Sequence, residues 1–146
     1  MKFRLIIDNT GEEEVTVRAR SSSRLTEQIE ALVLAQEGTD QVTAYTEDEV
    51  RMLKFSDIEC VTVLDGKTWA IDTQGNRYRL KMRLYELEQL LPSFFIRINK
   101  SALANEHRLE RFSASFSGAV DAVFRCGYRE YVSRRCFAVI KRRYDL

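Results

Sequence analysis

From Gln41 onward, short apolar-alternating runs are interrupted by turn signals about every eight to twelve residues, Asp65-Gly66 and Gly75-Asn76 being the sharpest. That rhythm points to a mostly β domain of sandwich or barrel type. "QVTAYT" and "EVRMLKF" read as a strand pair, and "DIECVTVLDGKTWAIDTQGNRYRLKM" as three short strands. "RLYELEQLL" is an amphipathic helix that Pro92 ends. "FFIRI", "LERFSASF", "AVDAVFR" and "REYV" return to strand, and "SRRCFAVIKRRYDL" closes as a helix capped by Ser133.

The front differs. "KFRLII" and "EEVTVRAR" alternate like the arms of a hairpin around Asp8 to Gly11, and Leu25, Ile29, Leu32 and Val33 then recur at helical spacing, with Gly38 as the expected stop. The sequence thus predicts a strand-strand-helix segment over residues 1–40 and a β domain over 41–146. A unit as small as the first is hard to stabilise alone, so it is expected to pack on the β domain or to build a dimer.

At 146 residues, with 31% charged and 45% hydrophobic side chains, the chain is long enough to bury a core and argues against disorder. No apolar run approaches membrane-spanning length, and the N-terminus turns acidic too soon for a signal peptide, so a cytoplasmic location is expected. Cys60, Cys126 and Cys136 are odd in number and lack metal-ligand spacing. The net charge of +1 hides an asymmetry: residues 1–60 carry 7 basic and 13 acidic side chains, and residues 97–146 carry 11 and 5. An acidic front joined to a basic back suggests that the back meets a polyanion; the alternative is an ordinary solvated surface.

Signs of catalysis are sparse. His107, the single histidine, lies in the polar loop "NEHRLE" with no nucleophile motif beside it, and no phosphate-loop, dinucleotide or metalloprotease pattern occurs. Neither an enzyme nor a cofactor, metal or small-molecule substrate is expected. The stretch "FFIRINKSALAN" is more informative. Strand alternation puts Phe95, Arg97 and Asn99 on one face and Phe94, Ile96 and Ile98 on the other, so Asn99, Lys100 and Ser101 form an exposed excursion between the core anchors Ile98 and Leu103. Such an excursion suits contact with a phosphate or base edge; it also suits a plain capped turn.

"FFIRINKSALAN" resembles the signature F-x-R-x-H-[RK]-S-x-hydrophobic-[VA]-N of LytTR-type DNA-binding domains, and "CGYREYVSRRCFAVIKRRY" resembles their later turn, strand and helix. The resemblance spans residues 45–146, with Asn99 standing where His is usual and Ala104 replacing the common Val. It implies an elongated, multi-sheet, mostly β fold (α+β overall) with short helices that reads the major groove of double-stranded DNA with inter-strand loops. Carried over by motif, the implied contacts are Lys67, Thr68 and Trp69, then Asn99 and Lys100, then Arg134. Arg97 belongs to the signature as a contact or a loop support, and Arg135, Arg142 and Arg143 are phosphate candidates. A Trp in a strand is more often core than ligand. The resemblance further implies a sequence-specific transcriptional regulator acting as a homodimer, without an attached receiver domain, and held in check by a small membrane protein. The competing readings are a β-rich protein-interaction module without DNA binding and a hydrolase using His107.

Overall fold

The computed structural model describes residues 2–36 and 40–145. Helix α1 covers Arg24–Gln36; the expected stop at Gly38 lies outside the described residues. There follow β1 (Gln41–Tyr45), β2 (Val50–Lys54), β3 (Ile58–Leu64), β4 (Lys67–Asp72), β5 (Arg77–Leu80), α2 (Leu84–Leu90), β6 (Phe95–Asn99), β7 (Ala102–Asn105), β8 (Leu109–Ala114), β9 (Val120–Phe124), β10 (Arg129–Val132) and α3 (Arg134–Arg143). The fold is mostly β, as the turn spacing predicts. Asp65 and Gly66 both take positive φ, 53° and 73°, which is the backbone that joins β3 tightly to β4.

Two antiparallel sheets result. The larger has the order β2-β1-β5-β4-β3-β7-β6 and the smaller β10-β9-β8. Strand β3 lies between β4 and β7 and is buried on both faces from Ile58 to Thr62, so its sequence, IECVTVL, shows no clean alternation, and its polar Glu59 and Thr62 are buried with hydrogen-bond partners. Ile58 and Val61 join Leu84 and Leu87 of α2 on one face. On the other face, Cys60 and Ile71 pack with Ala122 and Phe124 of the small sheet and Ile140 of α3. The β6–β7 hairpin straddles both cores, because Ile98 belongs to the second and Leu103 to the first. The three cysteines are free thiols. No helix among the described residues is long and apolar enough to cross a membrane.

Two expectations need correction. No strand forms within residues 2–23, although Asp8 Oδ1 accepts from the Thr10 N–H (2.9 Å) and hydroxyl (2.6 Å) and so begins the expected turn. A two-stranded ribbon is marginal without a surface to cover, and the Glu12–Glu14 run has low strand propensity. Helix α1, by contrast, starts where Ser23 and Thr26 cap each other and docks on the β body through polar contacts. Its Glu30 accepts from the Ser93 N–H (3.0 Å) and hydroxyl (2.6 Å), and its Glu27 meets His107 Nε2 at 3.0 Å.

The second correction is β7 itself. The stretch after the polar triplet is a strand, paired with β6 on one side and β3 on the other, and not merely a return of Leu103 to the core. Three of its four residues, Ala102, Leu103 and Ala104, are apolar in succession, which leaves no alternation to read.

Candidate nucleic-acid interface

The tight hairpin between β6 and β7 is irregular in a consequential way. Register shifts between Arg97 and Asn99, turning Asn99 inward. Asn99 is 7% exposed, its amide N–H donating to the Tyr131 carbonyl and its Oδ1 accepting from the Ser101 N–H, both at 2.6 Å. The expected exposed rim therefore contains Lys100 but not Asn99. Arg97 is a brace: Nη1 donates to the Lys100 carbonyl (2.8 Å), and Nη2 pairs with Glu88 of α2. Lys100 is exposed and, among the described residues, has no ion pair.

Main-chain bonds draw two other segments to this hairpin. The Ser133 N–H donates to the Ile98 carbonyl (2.9 Å), fixing the start of α3 beside β6, and Ser133 Oγ accepts from the Cys136 N–H (3.1 Å) as the helix cap. The Val63 N–H donates to the Ser101 carbonyl (2.8 Å), and two residues later β3 turns through Asp65-Gly66 into Lys67. A cleft of about 700 Å³ lies among these pieces, with Lys100, Arg97 and Arg135 on its walls. Arg134 and Arg135 occupy the first turn of α3, exposed and without an ion pair among the described residues. Two basic residues at the positive end of a helix dipole oppose it. An anion placed there would relieve that repulsion and meet free main-chain N–H groups.

The remaining expected residues divide. Lys67 is exposed; Thr68 is buried beside Leu80 across the sheet; Trp69 is half-buried, with the Arg77 guanidinium 5.0 Å from its ring centroid. Arg142 and Arg143 lie at the far end of α3, about 12 to 14 Å along the axis from Arg134 at 1.5 Å per residue. Arg143 is taken by Glu106, with contacts of 3.1 and 3.0 Å, and Tyr144 also donates to that carboxylate. Arg143 is thus a clasp.

Two residues near the cleft escape a reading by charge and motif. Tyr131 of β10 is 51% exposed beside the hairpin that its carbonyl anchors. Glu130 accepts from the Thr62 hydroxyl and from the Tyr128 hydroxyl (3.3 Å), placing one carboxylate behind the basic rim. Burial, then the neighbouring Cys60 and Glu130, hold the Tyr128 phenol well above its ordinary range. The alternation of "REYV" gives the only sequence signal for Tyr131, which it sends outward.

His107 sits apart from the cleft, stacked on Phe94 at 4.6 Å and paired with Glu27. Ligand atoms of Glu27, Glu106 and His107 lie within 4.8 Å of one another. With Glu106 committed to Arg143 and Tyr144, this cluster joins α1, the turn after β7 and the end of α3.

The LytTr DNA-binding domain family matches residues 48–145. An uncharacterized HTH-type transcriptional regulator of Staphylococcus aureus (strain NCTC 8325 / PS 47) is 29% identical over 150 residues, covering 100% of this chain and 99% of the relative. A similarly named regulator from strain MSSA476 is 29% identical over 149 residues with the same coverage. The solved structure of a LytTr DNA-binding domain from Bacillus cereus superposes with a TM-score of 0.66, at 23% identity, covering 73% of this chain and 98% of that one. Despite the relatives' name, no two helices among the described residues of this chain are joined by a short turn.

Proposed function

The chain belongs to the LytTr DNA-binding domain family, and on that premise we propose that it is a sequence-specific, DNA-binding transcriptional regulator that reads the major groove with loops. The observation that carries this reading is that Lys100 and Arg135 line one cleft, with Lys67 and Arg134 on segments tied to it by the Ser133-to-Ile98 and Val63-to-Ser101 main-chain bonds, all four exposed and unpaired among the described residues. Held this way, the main chain beneath these long basic side chains is ordered before binding, and the side chains reach both phosphates and guanine edges. On this reading Lys100 and Arg134 are the candidates for base contact, as the family motif implies, and Lys67 and Arg135 the candidates for phosphate contact. Arg97 and Asn99 position the hairpin and do not touch DNA. The mechanism is recruitment or obstruction of transcription, without chemistry on the DNA.

The test begins by selecting a preferred duplex from a randomised pool with the full chain, then titrating it at several salt concentrations. Each lost phosphate contact should lower the slope of log affinity against log salt by about 0.9. Lys67→Ala and Arg135→Ala should do so for every duplex. Lys100→Ala and Arg134→Ala should lose about 1 to 3 kcal/mol on the selected site and relax its sequence at one position. If the selection yields no preferred sequence, or if all four variants bind like the parent, the loop readout is wrong. Salt-insensitive binding to a protein partner would instead support an interaction module.

A further inference from the structure

Residues 2–25 are exposed throughout, yet they include Phe3 (91% exposed), Leu5, Ile6, Ile7, Val15 and Val17, all strand formers. The neighbouring helix leaves Leu25 and Leu32 uncovered as well. Solvated residues of this kind are ordinary one at a time, but a contiguous run marks a surface that has a partner. In each arm the odd-numbered residues share one strand face: Phe3, Leu5 and Ile7 in the first, Val15 and Val17 in the second. Val15 and Val17 border Ile29 and Val33 of α1 across a small cavity, so the second arm already lies along its own helix. The first arm has no such seat.

Charge identifies the occupant. The arms, residues 2–20, carry Lys2, Arg4, Arg18 and Arg20 against Asp8, Glu12, Glu13 and Glu14, a balanced set that steers neither toward a polyanion nor toward a polycation. Within it, the first arm is basic and the start of the second is acidic, so the surface is complementary to itself, as a two-fold interface requires. The exposed run also matches the 20 to 30 residues that a stable interface of ordinary size takes from each side. We propose that the front segment is a reciprocal dimerisation surface, in which residues 2–7 of one copy pair along residues 12–18 of a second copy and cover its Leu25 and Leu32. Lys2 and Arg4 then lie against the other copy's Glu12–Glu14 run, and the unpaired strand backbone is satisfied across the two-fold axis.

The decisive experiment uses the full chain. By sedimentation it should run at twice its 17.0 kDa mass at micromolar concentration, with the amides of residues 3–7 protected from hydrogen exchange. Leu5→Asp with Ile7→Asp, both at exposed positions, should weaken association at least tenfold and abolish that protection without altering the melting temperature. Two charge-reversed chains then test reciprocity: K2E/R4E, and E12K/E13K/E14K. Each alone sets like charges together and should dimerise at least tenfold more weakly than the parent, while their equimolar mixture should recover a mixed dimer. A monomeric parent, a dimer that survives the Leu5/Ile7 double variant, or a mixture no tighter than its components overturns the proposal. A parent that stays monomeric but binds a vesicle or another protein through this segment overturns it equally.

Discussion

Replacing Asn99 with Ala separates a residue that shapes the hairpin proposed to face DNA from one that reads DNA. The side chain is 7% exposed and makes two short hydrogen bonds, to the Tyr131 carbonyl and from the Ser101 N–H. Truncation removes both and leaves two main-chain groups unpaired in a place that admits little water. At about 1 to 3 kcal/mol for each fully buried orphan, discounted because the Ser101 end is half-buried, the loss is about 2 to 4 kcal/mol. For a chain of this size each kcal/mol moves the melting temperature by about 2 to 4 °C, so a fall on the order of 10 °C is expected. Lys100→Ala, at an exposed neighbour, should change stability by no more than about 0.5 kcal/mol. Thermal melting by circular dichroism, paired with titration of the selected duplex, makes the comparison. Asn99→Asp adds a diagnostic: it can still accept from Ser101, but it sets a carboxylate against the Tyr131 carbonyl, and should melt below the parent. The reasoning fails if Asn99→Ala melts within about 2 °C of the parent and instead relaxes specificity at one base position, which is how a base-reading Asn behaves.

Ile98 is fully buried in the second core, so Ile98→Ala should cost about 2 to 5 kcal/mol in a urea melt and lose DNA affinity only in step with that destabilisation. Ser133→Ala should cost about 0.5 to 2 kcal/mol, with a larger proportional loss of DNA affinity than Ile98→Ala because the cap sits at the proposed contact. Burial opposes ionisation of the Glu106 carboxyl, but the hydrogen bonds from Arg143 and Tyr144 outweigh it and hold the carboxyl below the usual range. Its stabilising contribution is therefore present above about pH 4.3 and lost as pH falls through the lower folded value; urea melts of the parent and Glu106→Gln between pH 6 and 3 should converge at the acid end. A chain starting at residue 41 should keep its salt dependence of DNA binding, counted per bound chain, to within about one contact, since the four proposed contacts all lie beyond that point; a flat salt response would place the contacts in the front.

What the sequence made legible is what local chemistry decides. Asp65-Gly66 forms its turn because Gly and Asp tolerate positive φ, and Ser133 caps α3 because its hydroxyl reaches a main-chain N–H three residues on. The strands from Gln41 onward, β7 excepted, follow from the short apolar runs and their turn spacing. Asn99 was misplaced because its environment is set from 32 residues away, by the Tyr131 carbonyl, and by a register shift that strict alternation cannot anticipate. Arg143 looked like a free cation because Glu106, its partner, lies 37 residues earlier and reaches it only through the fold. The front arms failed in the opposite direction, since their pattern is strand-like but only Val15 and Val17 of the second arm border a surface of the same chain, that of α1, and neither arm is paired as a strand among the described residues.

These differences bear on how a loop can read DNA at all. A flexible loop would spend much of its binding energy on being ordered, whereas a helix presents its side chains already fixed. Here the fixing is transferred to the sheets: β3 holds the Ser101 carbonyl, β6 holds the start of α3, and β10 holds Asn99. The main chain of Lys100 is thus as constrained as one on a regular element, although it lies in the turn between β6 and β7, and Arg134 stands on the anchored first turn of α3. The cost is that buried polar groups, Asn99 first among them, must remain satisfied for the surface to keep its shape. On the proposed reading, stability and recognition are coupled through the same few hydrogen bonds, so a substitution at an anchor should change affinity for every duplex, and only a substitution at the rim should change which duplex is preferred.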